Sequence, residues 1–531
     1  MKTKNLLPIF LLFCLFMFVS YNAFANNISV SNFNLTGQNG ASHSIMVKFD
    51  IAWENSWRTS SAPNNWDAAW VFVKYRVMGT SEWQHAWLNN TGHNAPSGST
   101  IDVGLLDPAL PFNATTNPGM GAFIYRNANG TGTFSKTDVQ FRWNYGANGV
   151  SDVAMVEICV YAIEHVFVPQ GSFYVGSGGA ESGAFYKYPT TTNPYQITGE
   201  GAITVGTTAD NLYYSISTNS GDQGGPIPAA FPKGYKAFYS MKYEISQQEY
   251  VDFLNSLTYT QQATRTIDVW QIHLPNSTAG TYLYDAYRNK IKISTSGTAS
   301  TVPAIYATDY PYVACNYLCW SDVAAYLDWS GLRPMTELEY EKSCRGLLAP
   351  VPDEFAWGTA GIVSSQYTLS NSGANNEIIA TGYSVTDGNA SYAATVELII
   401  VGPLRVGIFA SNSSNRVTSG ATYYGIMEMS GNVWEQIVST GHATGRLFTG
   451  TNGNGVLNTS GNADAITWPP STFPAIGSAP GAGFKGGYWD SYYDILFSTD
   501  TDLQVSGRMC AADPVGVRGF DTGGRGVRTA P

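Results

Sequence analysis

Leu332-Arg333-Pro334-Met335-Thr336-Glu337-Leu338-Glu339-Tyr340-Glu341-Lys342 is the stretch on which the fold turns. Thr336 stands where its side-chain oxygen can accept from a backbone N–H that the first helical turn leaves open, so a helix is expected from Glu337, running toward Arg345-Gly346. Upstream, Ser321 to Trp329 places Val323, Tyr326 and Leu327 on one helical face, with Gly331 positioned to end the helix. Further upstream, Ser246-Gln247-Gln248-Glu249 has the form of a capping box, predicting a short helix through Phe253-Leu254-Asn255. Around these helices lie long Gly/Asn/Ser/Thr-rich stretches, notably 359 to 420 and 440 to 484. Loops of that length are functional, disordered or organised by ions more often than they are mere connections.

Before Val166 the pattern changes to period two. Ile45, Val47, Phe49, Ile51 and Trp53 alternate with smaller or polar residues, and Val71, Val73, Tyr75 and Val77 repeat the alternation. Such runs, broken by Asn/Gly/Pro/Ser clusters, predict strands of a half-buried antiparallel sheet and an immunoglobulin-like β-sandwich over residues 26–165. Trp53, Trp57, Trp66, Trp70, Trp83 and Trp87 suit either a sugar-stacking face or core packing between strands, and core packing is the favoured reading.

The chain has 531 residues, enough for two or more domains. With 13% charged and 14% aromatic residues, 55 Gly and 33 Tyr, it reads as a loop-rich and strand-rich extracellular protein. The formal net charge of -11 disfavours nucleic acid and anionic lipid as partners. Lys2 and Lys4, the apolar run Leu6 to Val19, and Ala23 and Ala25 have the order of a signal peptide cleaved after Ala25. That run is too short for a bilayer span, and Cys14 inside it does not have the setting of a lipidated N-terminus. A secreted, periplasmic or cell-surface location is expected, with no membrane span. Beyond the leader stand Cys159, Cys315, Cys319, Cys344 and Cys510, too few to be the framework of so long a chain. Cys315 and Cys319 lack a second pair or spaced histidines to complete a zinc site, so buried thiols or one local disulfide are expected.

Several ordered blocks resemble the formylglycine-generating-enzyme family, also called sulfatase-modifying-factor domains. They are Val168-Pro169 through Gly176-Ser177, Met241 to Ser246, Cys319 to Asp322, Leu332 to Glu341, Phe355 to Gly358, Met427 to Glu435, Phe484 to Trp489, and Gly526-Val527-Arg528. The resemblance runs from about Val166 to Arg528 and implies, for 166–531, a C-type-lectin-like α+β fold: a small twisted antiparallel sheet, a pair of helices and much irregular backbone. Fold alone does not assign chemistry.

Family enzymes oxidise a peptidyl cysteine to formylglycine with two cysteines that hold copper(I), a soft ion matched to soft thiolates. Carried onto this chain, the first of those positions falls on Asp490 or Ser491 and the second on Ile495 or Leu496, and none is a thiol. A related branch binds iron through clustered histidines, but His43, His85, His93, His165, His273 and His442 are scattered. No copper or iron is therefore expected. Acidic pairs such as Asp490 with Asp494 or Asp500 with Asp502 are no more than an acidic loop supplies. The resemblance implies a structural calcium site at Glu428-Met429-Ser430-Gly431-Asn432-Val433-Trp434-Glu435, through the side chains of Glu428 and Glu435 and the carbonyls of Gly431 and Val433.

In lectin-like folds the irregular face near the C-terminal strands takes the ligand, which here points to Tyr488, Trp489, Asp490 and Arg508 as a candidate surface for a carbohydrate or a peptide. The same residues would equally fill a core and pair internally. The favoured reading is an exported, non-catalytic, calcium-stabilised binding or assembly protein; the rival is a metal-dependent oxidoreductase of the same superfamily.

Overall fold

The computed structural model describes residues 27–215, 219–266, 273–411, 413–472, 477–491 and 502–531. The expected leader 1–25 with Cys14, and Asp494, Ile495, Leu496 and Asp500, lie outside the described residues. The chain is mostly β, with a few short helices.

Strands Ser29–Asn39, Ser44–Arg58 and Gly130–Trp143 form a three-stranded antiparallel sheet. A second sheet runs in the order Ala482–Lys485, Trp434–Val438, Arg333–Thr336, Gly526–Thr529, Phe238–Met241, Val156–Val168, Asp67–Val77, Gly119–Arg126, Ser99–Leu105. Val47, Phe49, Ile51 and Trp53 of the first sheet share one apolar layer with Ala69, Val71, Val73 and Tyr75 of the second, so the period-two pattern read from the sequence is a core face.

One expectation needs correcting. Alternation predicted strands covered on one face, yet Asp67–Val77 is buried on both for most of its length. Its other face, Ala68, Trp70 and Phe72, packs into a second core with Tyr239, Tyr326, Trp329 and Leu332. The Trp70 indole N–H also donates to Ser330 O at 2.8 Å. The C-terminal region thus serves as the missing layer, which no pattern local to residues 67–77 announces. Of the six tryptophans, Trp53 and Trp70 are fully buried and Trp66 stacks on Phe167 with centroids 4.0 Å apart, as the core-packing reading expects.

The expected boundary between 165 and 166 falls inside the strand Val156–Val168. Its residues 156–166 pair with Asp67–Val77, and its last residues, 165–168, pair with Phe238–Met241. There is no linker here to flex.

The helices fall where their caps predict. Ser246 Oγ accepts from Glu249 N and the Glu249 carboxylate accepts from Ser246 N, closing the capping box of helix Gln247–Asn255. Helix Trp320–Ser330 ends at Gly331 with φ 72°, the left-handed conformation for which glycine is suited. Helix Glu337–Arg345 starts from Thr336, whose hydroxyl accepts from Glu339 N. A further helix, Tyr259–Thr266, escapes sequence reading because its buried positions are polar: Gln262 donates to Leu254 O and Ala304 O in the interior. No helix among the described residues is long and apolar enough to cross a membrane.

Because Trp70 lies in the shared core, Trp70→Ala is expected to cost about 3–5 kcal/mol. Denaturation followed by both intrinsic fluorescence and limited proteolysis should show one transition, with no stable fragment beginning near residue 166.

Candidate functional site

The loop 428–435 is shaped by three left-handed residues, Glu428 (φ 54°), Gly431 (φ 89°) and Asn432 (φ 72°). A Cβ at Gly431 would sit 2.3 Å from Ser391 O, so only glycine fits. The loop is pinned from several sides. Asn432 Nδ2 donates to Glu244 Oε2 at 2.5 Å, Val433 N donates to Glu244 Oε1 at 3.0 Å, and Leu404 N donates to Asn432 Oδ1 at 2.7 Å. Ser430 Oγ donates to Leu503 O at 2.7 Å.

Of the four residues expected to hold calcium, Glu428 and Glu435 each have one carboxylate oxygen already engaged by the protein. Calcium needs six to eight oxygens left open toward it. Here the Glu428 carboxylate accepts from Gly407 N at 2.8 Å, and Glu435 Oε1 is held by Arg525 through Nε and Nη2, each at 2.6 Å. The same guanidinium donates to Lys242 O at 3.1 Å and to Glu428 O at 3.4 Å. Glu435 and Arg525 are fully buried, so a positive charge already stands between the Glu435 carboxylate and the Glu428 carbonyl. A divalent ion added beside it would meet that charge at close range in a weakly screening interior. Glu428 Oε2 and Glu435 Oε2 are left without a hydrogen-bond partner, and burial raises both carboxyls, Glu428 to about 7, against the opposing pull of Arg525. Burial, reinforced by Glu435, drives Glu244 well above the usual carboxylate range. Burial thus disfavours the charged form of all three carboxyls, and Arg525 opposes that shift.

The loop leads directly to the turn where family thiols are expected. Gly431 N donates to Gly486 O at 2.7 Å and Trp489 N donates to Asn432 O at 2.9 Å. Gly486 (φ 89°) and Gly487 (φ 71°) form the bend, and Ser491 Oγ accepts from Tyr488 N at 3.0 Å. Ser491 is buried, with its hydroxyl spent on this turn, while Asp490 is half-buried and raised by burial and by Glu397. An oxygen pair of this kind offers copper(I) no soft ligand.

The buried cysteines Cys315, Cys319 and Cys344 are poor candidates to supply one elsewhere. Cys315 donates to Asn316 O, Cys319 donates to Asp322 Oδ2 at 3.0 Å, and both are buried. Burial drives Cys315 well up and pushes Cys319 and Cys344 up to about 12, which suppresses the thiolate that metal binding and nucleophilic chemistry require. His442 Nδ1 accepts from Thr444 N at 3.1 Å as a helix cap. Among the described residues, no group of three or more His, Cys, Asp or Glu side chains is arranged to hold a metal ion.

The candidate ligand face is also corrected. Tyr488, Trp489, Asp490 and Arg508 do not form one exposed surface. Trp489 is buried among Tyr287 and Phe520, and its indole N–H donates to Phe520 O at 3.2 Å. Arg508 is fully buried between the rings of Phe185 and Tyr214, 4.1 and 4.2 Å away, and grips Glu337 through Nε at 2.7 Å and Nη2 at 3.2 Å. Only Tyr488 and Asp490 keep partial exposure. The physical reason is that Glu337, at the start of the central helix, needs a cation in a place water does not reach.

Residues 159–519 match the sulfatase-modifying factor enzyme 1-like domain family. The chain belongs to this family. It is similar to formylglycine-generating enzymes of Bos taurus, at 28% identity over 156 residues, and of Mus musculus, at 26% over 155 residues. Each alignment covers 26% of this chain and 40% of the relative. The match to the family begins inside the strand Val156–Val168, so the domain starts on a strand that it shares with the N-terminal layers.

If Arg525 is the cation of the 428–435 loop, a calcium chelator should leave the melting curve unchanged. Arg525→Met should cost about 3–5 kcal/mol by stranding Glu435 in the interior. A calcium-dependent rise in Tm of the unaltered protein would show that the loop recruits metal after all.

Proposed function

We propose that this protein is an exported, non-catalytic binding or assembly protein, in which a lectin-like member of the sulfatase-modifying-factor family is fused to an N-terminal β-sandwich. One observation carries the reading: in the turn 486–491, closed by Tyr488 N donating to Ser491 Oγ, Asp490 and Ser491 stand where a copper-binding thiol is expected. The burial of Cys315, Cys319 and Cys344, with thiols pushed far above the physiological range, supports it. So does the Arg525–Glu435 pair at the 428–435 loop, which supplies that loop with a cation from the chain itself.

The relatives bear the name of an enzyme, and the chain spans about 40% of their length. Their activity is the rival reading here, a metal-dependent oxidation of a thiol substrate. What separates the two is the supply of electrons and ligands at the bend. Oxygen activation by copper(I) asks for thiolates, and the oxygens of Asp490 and Ser491 are hard donors.

The purified protein is expected to carry no stoichiometric copper or iron and to leave a cysteine-containing peptide unoxidised after incubation with either metal and a reductant. One equivalent of bound redox metal together with turnover of the peptide thiol would establish the rival. Secretion is checked by N-terminal sequencing of the mature protein, expected to begin at Asn26 or nearby if the signal reading holds; retention of residues 1–25 in the exported protein would reject it.

A further inference from the structure

The N-terminal layers and the family domain enclose a cavity of about 480 Å³ at their junction. Trp57 and Asn65 line it from one side, and Lys242, Ser411, Arg416 and Tyr424 from the other. In a chain of formal net charge -11, the charged side chains in its lining among the described residues are a lysine and an arginine. That is the reverse of the charge balance elsewhere, and it needs a physical account.

The two cations are differently placed. Lys242 Nζ lies 3.5 Å from Glu164 Oε2 and 4.8 Å from the centre of the Trp57 ring, so its charge is already answered inside the protein. Arg416 makes no ion pair among the described residues, although Glu354 is near enough to act on its charge and the centre of the Tyr423 ring lies 5.7 Å away. Its Nη2 donates to the carbonyls of Cys344 at 3.2 Å and Ala356 at 3.1 Å, which orient the guanidinium without neutralising it, and its Nε has no hydrogen-bond partner among the described residues. The Tyr424 side chain is buried, with 1% of its surface exposed, and its hydroxyl also lacks a partner among the described residues. Both unpartnered atoms are buried beneath the cavity surface, a cost that nothing among the described residues offsets, while Arg416 itself keeps partial exposure in the lining.

The lining around them is of three kinds: aromatic rings, hydroxyls and amides, and one oriented guanidinium. Rings offer a face to the C–H groups of a sugar, hydroxyls and amides match its hydroxyls, and a guanidinium matches a carboxylate. The volume suits one or two monosaccharide units. We propose that this cavity is a binding site for an acidic sugar, a hexuronate unit whose carboxylate meets Arg416 and whose ring lies along the wall made by Trp57. The site rests on the binding reading above and deepens it. Neither part of the chain holds it alone, since Trp57 belongs to strand Ser44–Arg58 and Arg416 to the family domain.

The test is titration calorimetry, or saturation-transfer NMR where affinity is weak, with methyl glucuronide and methyl glucoside as matched probes. The glucuronide is expected to bind saturably and the glucoside at least 10-fold more weakly. Arg416→Gln should weaken the glucuronide about 10-fold. Because Arg416 also ties two carbonyls, Ser411→Phe provides an independent check: the Ser411 hydroxyl contacts only Ser413 at 3.3 Å among the described residues, so a phenyl ring there fills the cavity without removing a core contact. It should abolish binding at an unchanged Tm. Equal binding of the two sugars, binding that survives Ser411→Phe, or no saturable glucuronide binding overturns this site. In each of those cases the wider binding reading still stands or falls separately, by the metal and turnover assays.

Discussion

The interior of the family domain is held by acid–arginine pairs that water does not reach, and the central helix Glu337–Arg345 is where they converge. Glu337 meets Arg508, Glu339 meets Arg333 at 2.6 Å, and Glu341 meets Arg345 at 3.0 Å. Alternate residues on a helix point to opposite sides, so these pairs require neighbours all round it. Every residue of the helix is accordingly buried. Breaking such a pair by removing one partner leaves a buried charge, which makes the loss large even where the intact pair contributes little net stability. The arrangement therefore fixes geometry more than it adds stability: Glu337 specifies that the distant segment carrying Arg508 must lie beside the helix, while Glu339 and Glu341 lock the helix to Arg333 and Arg345 close by in the chain. Asp322, held by Arg265 and Arg518, plays the same part at the neighbouring helix.

Seen in this way, the 428–435 loop follows the rule of the rest of the domain. An acid at the start of a central strand, Glu435, is met by a guanidinium from the last strand region, Arg525. The choice of an arginine has a consequence for function as well as stability. A fixed side-chain cation cannot dissociate, so this part of the loop's pairing is carried by the chain itself. The turn 486–491 is hydrogen-bonded to the loop and inherits its rigidity. On that turn the residues at the positions where the resemblance expects a thiol, Asp490 and Ser491, present oxygen.

The N-terminal layers are part of the same construction. Strand Val156–Val168 carries hydrogen bonding from one region into the other, and both faces of Asp67–Val77 are used, one by each core. A junction built on a shared strand and a shared core holds the walls of the cavity around Trp57 and Arg416 in fixed relation. This favours recognition by a preformed site over closure about a hinge.

Local chemistry determined much of this from sequence alone. The caps at Ser246 and Thr336 and the glycine stop at Gly331 depend on bonds spanning three or four residues, so reading them in order placed three helices. The alternation of Val47, Phe49 and Ile51 likewise gave a core face, and the ordered blocks from Val168 to Arg528 gave the family. Partner choice was another matter. Glu435 pairs with a residue 90 positions away and Arg508 with one 171 away, and nothing near either glutamate or arginine says which of the buried cations it will meet. Trp489 and Arg508 have the composition of a binding face, yet burial decides between face and core, and burial is a property of the assembled layers. The same holds for the second face of Asp67–Val77 and for the cavity at the junction. Sequence carries the short-range bonds that start and stop each element, whereas charge pairing and enclosure arise only when segments far apart in the chain are brought into contact.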